Sequence, residues 1–189
     1  MGNQCFTNYC KLLSSTMAKL NKNQIDRALN AIVTARKNGN TVYLAGNGGS
    51  AGNAVHLAND YIFGASNTFG EAVKVNALPA NTSILTCLGN DIGYENIFSH
   101  QINVLGQNGD VFIALSGSGN SPNIIEAIKA ATNKGMITIG ILGYSGGLAL
   151  DKVDIPIHAE VEDMQISEDI QLVVGHYFMQ QLKANVEKI

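Results

Sequence analysis

The sequence has no tryptophan, only three prolines and three cysteines in 189 residues, and a charged fraction of just 14%. Glycines occur without a three-residue period, which together with the scarcity of proline excludes collagen and proline-rich linkers. The low charge excludes a long solvated helix or a disordered polar chain. The 12 basic residues are scattered and the net charge is -3, so no basic stripe exists to neutralise the phosphates of a nucleic acid. Cys5, Cys10 and Cys87 are odd in number and lack metal-ligand spacing, as expected of reduced thiols in a cytoplasmic protein. No basic start followed by an apolar signal segment is found. Apolar runs such as Val111 to Leu115 and Ile137 to Leu142 stop well short of the ~20 residues of a spanning helix. The expected setting is cytoplasmic, with neither nucleic acid nor membrane as partner.

What the chain does have is a 46% hydrophobic share, enough for one sizeable core, and 20 glycines, an excess that needs a local explanation. Without a repeat, linker or low-complexity segment, residues 1–189 read as a single domain, helical over 1–40 and α/β over 41–189. From Thr7 to Asn38, apolar residues at three-to-four spacing predict two one-sided helices parted near Leu20 to Asn23. Asn21 and Asn23 are candidate caps for the second, and Gly39-Asn40 a candidate stop. Short β-branched or apolar runs at Thr41–Ala45, Val73–Leu78, Ser83–Leu88, Val111–Ser116, Ile137–Leu142 and Ile155–His158 predict strands. Helical stretches are expected at Ser50–Phe63, Asp91–Leu105, Ser121–Asn133 and about Gln165–Glu187. Most of the strands are apolar on both faces, which predicts a parallel sheet of five strands, or six, inside a three-layer α/β/α sandwich. Ligands of such sheets sit beyond the carboxyl ends of the strands.

Two loops fall there. The first strand runs into Gly46-Asn47-Gly48-Gly49-Ser50-Ala51-Gly52 and then a helix, a place where free N–H groups and the helix dipole favour an anion. A nucleotide P-loop would need a lysine here, and there is none. Gly46, Gly48 and Ala51 match the loose dinucleotide spacing, but Ala77, Leu78 and Pro79 stand where that fingerprint needs an acid. No nucleotide cofactor is therefore expected, and a small phosphorylated ligand is the favoured reading. The second loop, Ser116-Gly117-Ser118-Gly119-Asn120-Ser121-Pro122, follows another strand. Ser121 and Pro122 suit a helix start, while Ser116 and Ser118 remain as hydroxyl donors.

These two loops, with Leu85-Thr86-Cys87-Leu88-Gly89-Asn90-Asp91 between them, resemble the sugar isomerase (SIS) domain family, and within it the phosphoheptose isomerases. The similarity spans roughly residues 5 to 187. It implies a flavodoxin-like SIS fold, a homotetramer with shared sites, and one divalent metal per site, commonly zinc. The implied reaction converts sedoheptulose 7-phosphate to D-glycero-D-manno-heptose 7-phosphate through a cis-enediolate. SIS domains also serve as non-catalytic sugar-phosphate sensors, and one related bacterial group binds the replication initiator protein. An isomerase or epimerase of another sugar phosphate is a further alternative.

Four residues separate His56 from Asp60, so the two share a helix face and could serve as acid, base or metal ligand, or simply as a solvated pair. The resemblance makes Asp60 the catalytic base and His176 its proton-shuttling partner, with His56, Asp60, Glu168 and His176 as metal ligands. It makes Asn47, Gly48, Gly49, Ser50, Asp91, Ser116, Ser118, Ser121 and Glu168 the substrate-binding set. The chain departs from the family in carrying Asp60 for a glutamate, Glu168 for a glutamine, and no arginine shortly after Asp60. By helical spacing Glu168 lies about 80° from His176 and Asp169 nearly in line with it, which leaves open which carboxylate turns inward. His100 and His158 are read as surface or packing residues.

Overall fold

The computed structural model describes residues 5–66 and 72–186. Two helices come first, α1 (Phe6–Ala18) and α2 (Lys22–Asn38), parted where expected. The Asn21 side chain caps α2 by accepting from the N–H groups of Asn23 and Gln24. Five strands follow: β1 (Thr41–Ala45), β2 (Lys74–Ala77), β3 (Val111–Ser116), β4 (Ile137–Leu142) and β5 (Ile155–His158). They form one parallel sheet in the order β2-β1-β3-β4-β5.

Both faces of this sheet are covered, which is why its strands read as continuous apolar runs. Val42, Leu44, Ile113 and Leu115 point to one side, into a core shared with α2, α3 (Gly49–Asn59) and α7 (Met164–Val186). Tyr43, Ala45, Phe112 and Ala114 point to the other, toward α4 (Thr82–Asp91), α5 (Ser99–Leu105) and α6 (Pro122–Asn133). The helix after β1 therefore lies on one face and the helix after β3 on the opposite face. Because β1 and β3 are hydrogen-bonded neighbours, the chain diverges between them, the switch point at which open α/β sheets form a crevice. Among the described residues, no helix is long and apolar enough to cross a membrane.

Three local expectations are corrected. Ser83–Leu88 is not a sixth strand but part of α4. The Asn81 side chain accepts the Ile84 N–H at 3.2 Å to start that helix, and Ile84, Leu85 and Leu88 pack at helical spacing on the second core. The stretch Asp91–Leu105 is not one helix: Asp91 ends α4, Gly93 at φ 90° turns the chain, and a short Tyr94–Asn96 turn leads to α5. The helix expected over Ser50–Phe63 ends as α-helix at Asn59 and continues as a wider π-turn, Asp60–Gly64. The last helix matches its expected span up to Val186, and Glu187 lies outside the described residues.

Candidate active site

The loop after β1 folds back tightly enough that a Cβ on Gly46 would stand 2.5 Å from the Ser50 carbonyl oxygen. Gly48, at φ 56°, then occupies the cap position of α3 with a backbone that side-chain-bearing residues rarely adopt. The glycines thus aim the first turn of α3 outward at the end of the sheet. The second loop stands beside it. Within that loop, the Ser116 hydroxyl accepts the Gly119 N–H at 3.0 Å and the Ser118 hydroxyl accepts the Asn120 N–H at 3.2 Å. Ser121 takes the cap position of α6 without a side-chain capping bond, and Pro122 fills the first turn.

Between the loops is a cleft of about 120 Å³ lined by Asn47, Ser50, Leu115, Ser116, Gly117, Ser118, Ser121, Met164 and Glu168. Its lining has four serine hydroxyls, an amide and one carboxylate, and neither lysine nor arginine. Such a lining holds an anion by hydroxyl and backbone donors. Asn47 ties the two loops together, since its amide exchanges two hydrogen bonds of 2.8 Å with the amide of buried Asn123. The Tyr94 hydroxyl adds a third bond, donating to Asn47 Oδ1 at 2.9 Å. Asn123 and Tyr94 had no local signal in the sequence, because their partner lies far along the chain.

Beyond the cleft, α3 and α7 bring three expected residues together. His56 Nε2 and His176 Nε2 stand 2.8 Å apart, and Asp60 Oδ2 is 3.4 Å from each. Both imidazoles are nearly half exposed, with the carboxylate at 19% exposure beneath them. At 2.8 Å the two ring nitrogens are within hydrogen-bond reach, with donor and acceptor set by the tautomers. The same atoms all lie within 4.8 Å of one another and suit a divalent ion.

Glu168 stands outside this cluster, a correction to its expected place as a metal ligand. Its carboxylate packs directly over Gly49 at the start of α3, where a backbone without Cβ leaves it room. Asp169 turns the other way and accepts the Tyr9 hydroxyl from α1 at 2.7 Å, which settles which of the two faces the cleft. That bond first, then burial, pushes the Tyr9 phenol up to about 12. Between cleft and triad, Asn53 donates to Gln171 Oε1 and to the Glu168 carbonyl, each at 3.0 Å. Asp91 stands at the end of α4 rather than at the start of the helix expected over Asp91–Leu105, and its exposed carboxylate accepts from Asn90 at 2.7 Å. His158 sits at the end of β5 against the Tyr144 carbonyl at 2.8 Å, and His100 is exposed on α5.

The model of the SIS domain matches residues 5–143 of the chain. The chain belongs to the SIS domain family. Curated relatives place this SIS protein among the phosphoheptose isomerases. That of Clostridium acetobutylicum is 39% identical over 153 residues, covering 81% of this chain and 78% of the relative. Phosphoheptose isomerase 2 of Campylobacter jejuni is 40% identical over 147 residues, covering 77% and 72%. Among solved structures, phosphoheptose isomerase GmhA from Neisseria gonorrhoeae superposes with a TM-score of 0.86 at 28% identity, covering 94% of each chain. The Vibrio vulnificus NanR protein complexed with ManNAc-6P shares the SIS fold alone, at 13% identity and a TM-score of 0.67, with 92% of this chain and 58% of that one covered.

Proposed function

We propose that this SIS protein is a ketose-aldose isomerase that converts sedoheptulose 7-phosphate to D-glycero-D-manno-heptose 7-phosphate. One observation carries the reading: His56, Asp60 and His176 converge beside a cleft whose donors are serines and a helix N-terminus. The phosphate is held by Ser50, Ser116, Ser118 and Ser121 with the N–H groups that follow Gly48 and Gly49, while Asn47 keeps the two loops in place. Asp91 fixes sugar hydroxyls from the end of α4. Asp60 takes the proton from carbon 1 of the open-chain ketose, a cis-enediolate forms, and the proton returns to carbon 2. His176 moves a proton between the two oxygens.

The metal fits the donor set: two imidazoles and a carboxylate within reach of one ion suit zinc or a similar divalent ion, with His56, Asp60 and His176 as the holding residues. Bound there, it supplies Lewis-acid polarisation of the sugar oxygens. A homotetramer is supported by the exposed apolar side chains of Val55, Phe63, Val173 and Tyr177 on the elements that carry the triad. The exposed free thiols of Cys5, Cys10 and Cys87 are consistent with a cytoplasmic setting. The test is isotopic exchange. With sedoheptulose 7-phosphate in deuterated water, wild type should form product, with deuterium at carbon 2 in the fraction of turnovers in which the base exchanges its proton before returning it. A protein stabilised by the sugar phosphate without turnover or exchange would be a sensor instead.

A further inference from the structure

Gly175 interrupts α7 in mid-helix, where alanine is the better helix former. Crowding explains the choice. A Cβ at this position would overlap Leu57 Cδ2 and stand 2.6 Å from its Cδ1 and 3.0 Å from its Cγ. Leu57 belongs to α3 and is buried at 1% exposure. One turn further along, buried Tyr61 donates its hydroxyl to the Gly175 carbonyl at 3.3 Å. Three neighbours of the triad therefore meet at one point, since Leu57 follows His56, Tyr61 follows Asp60, and Gly175 precedes His176.

We propose that Gly175, with Leu57 seated against it and Tyr61 bonded to its carbonyl, positions α7 so that His176 reaches His56 and Asp60. The proposal rests on reading that triad as the proton and metal site. Two stripes run side by side along the α3 stretch, each repeating by four: His56 and Asp60 face the reaction, while Leu57 and Tyr61 face the packing. The distance between packed helices is set by the side chains at their contact. A methyl group at 175 requires either the Leu57 tip, closed in at 1% exposure, to turn within a filled core or α7 to step away from α3 and carry His176 with it, and the close packing of that core favours the second. Contacts of 2.8 and 3.4 Å do not survive a displacement of that kind. The Tyr61 hydroxyl adds what packing lacks, a directional bond that fixes α7 at the residue before His176.

The test uses the full chain, chelated and then titrated with Co²⁺. Carbon-bound ring-proton spectra of the chelated wild type should show a through-space signal between the His56 and His176 imidazoles, whose centroids stand 5.1 Å apart, that both His56→Asn and His176→Asn remove. Its absence overturns the proposal. Gly175→Ala should lose the signal, weaken Co²⁺ binding by about 10- to 100-fold and change the Co²⁺ absorption spectrum. Leu57→Ala/Gly175→Ala, which removes the crowding atoms, should regain both. Tyr61→Phe keeps the ring, and so the fold, and should shift both readouts in the same direction. Gly175→Ala with the signal and affinity of wild type, or a double variant that fails to recover, sinks the idea. In turnover assays, kcat of Gly175→Ala should fall while KM for the sugar phosphate holds. A wild type inactive on sugar phosphates would remove the isomerase reading, and one that binds no Co²⁺ would remove the metal. In both cases the ring signal of the variants still decides this proposal.

Discussion

Asp60 is one methylene shorter than the glutamate expected at its position, yet its Oδ2 lies at 3.4 Å from both imidazoles. In the proposed reaction this carboxylate is the base or the metal ligand, as the acid of the cluster that His56 and His176 complete. Asp60→Asn should lower kcat by about 10²- to 10⁴-fold while leaving inorganic phosphate binding near wild type, as measured by turnover and by calorimetry. Glu168 makes the opposite case. It puts a carboxylate in the cleft proposed to receive the phosphate, so Glu168→Gln should bind inorganic phosphate more tightly, about tenfold. Equal affinity in the two proteins would mean that the carboxylate turns away when the anion enters. His56, Asp60 and His176 were legible in the sequence because two share one helix face and the third stands in the family's closing helix. The choice between Glu168 and Asp169 was not, because it depends on Tyr9, which only the packing of α1 brings near.

At the scale of elements, the three-to-four spacing of α1 and α2 and the two-sided apolarity of β3 and β4 announced themselves. The run Ser83–Leu88 did not, since a short apolar segment fits a buried strand or a helix equally well and only its cap and its neighbours decide. That cap is testable: Asn81→Ala should destabilise the protein by about 1 kcal/mol in chemical denaturation. The junction of α1 with α7 carries a pH signature. The Tyr9 phenol, pushed up to about 12 in the folded chain, loses its bond to Asp169 when it ionises. A raised folded value means that its contribution is complete below the ordinary phenol value near pH 10 and is lost as pH climbs through about 12. Ultraviolet titration of Tyr9→Phe should lack one of the late phenolates of wild type, those of Tyr43 and Tyr61, which burial also raises, remaining.

Across the whole molecule, the sheet order brings the two anion loops side by side, and the packing of α3 on α7 sets the triad beside them. An ion bound at three side chains from two helices holds those helices together, so chelation should lower both activity and thermal midpoint, and zinc should restore both. Phe63, 84% exposed just past Asp60, lies on the surface proposed to pack between subunits. Phe63→Glu should shift the mass in light scattering from tetramer toward smaller species. Neither the partner surface nor the α3–α7 register was legible in the sequence, for both arise between segments far apart in the chain.

In the proposed reaction α3 begins at the phosphate cleft and ends at His56 and the turn that carries Asp60, so one rigid rod joins the two tasks. At 1.5 Å per residue, Ser50 and His56 are separated along its axis by roughly 9 Å. α3 is therefore a ruler. A sugar phosphate is measured by how far its carbonyl end extends from its anchored phosphate, and a three-carbon phosphate, anchored equally well, ends short of the bases. Such short sugars should occupy the cleft and compete with substrate while passing through unchanged.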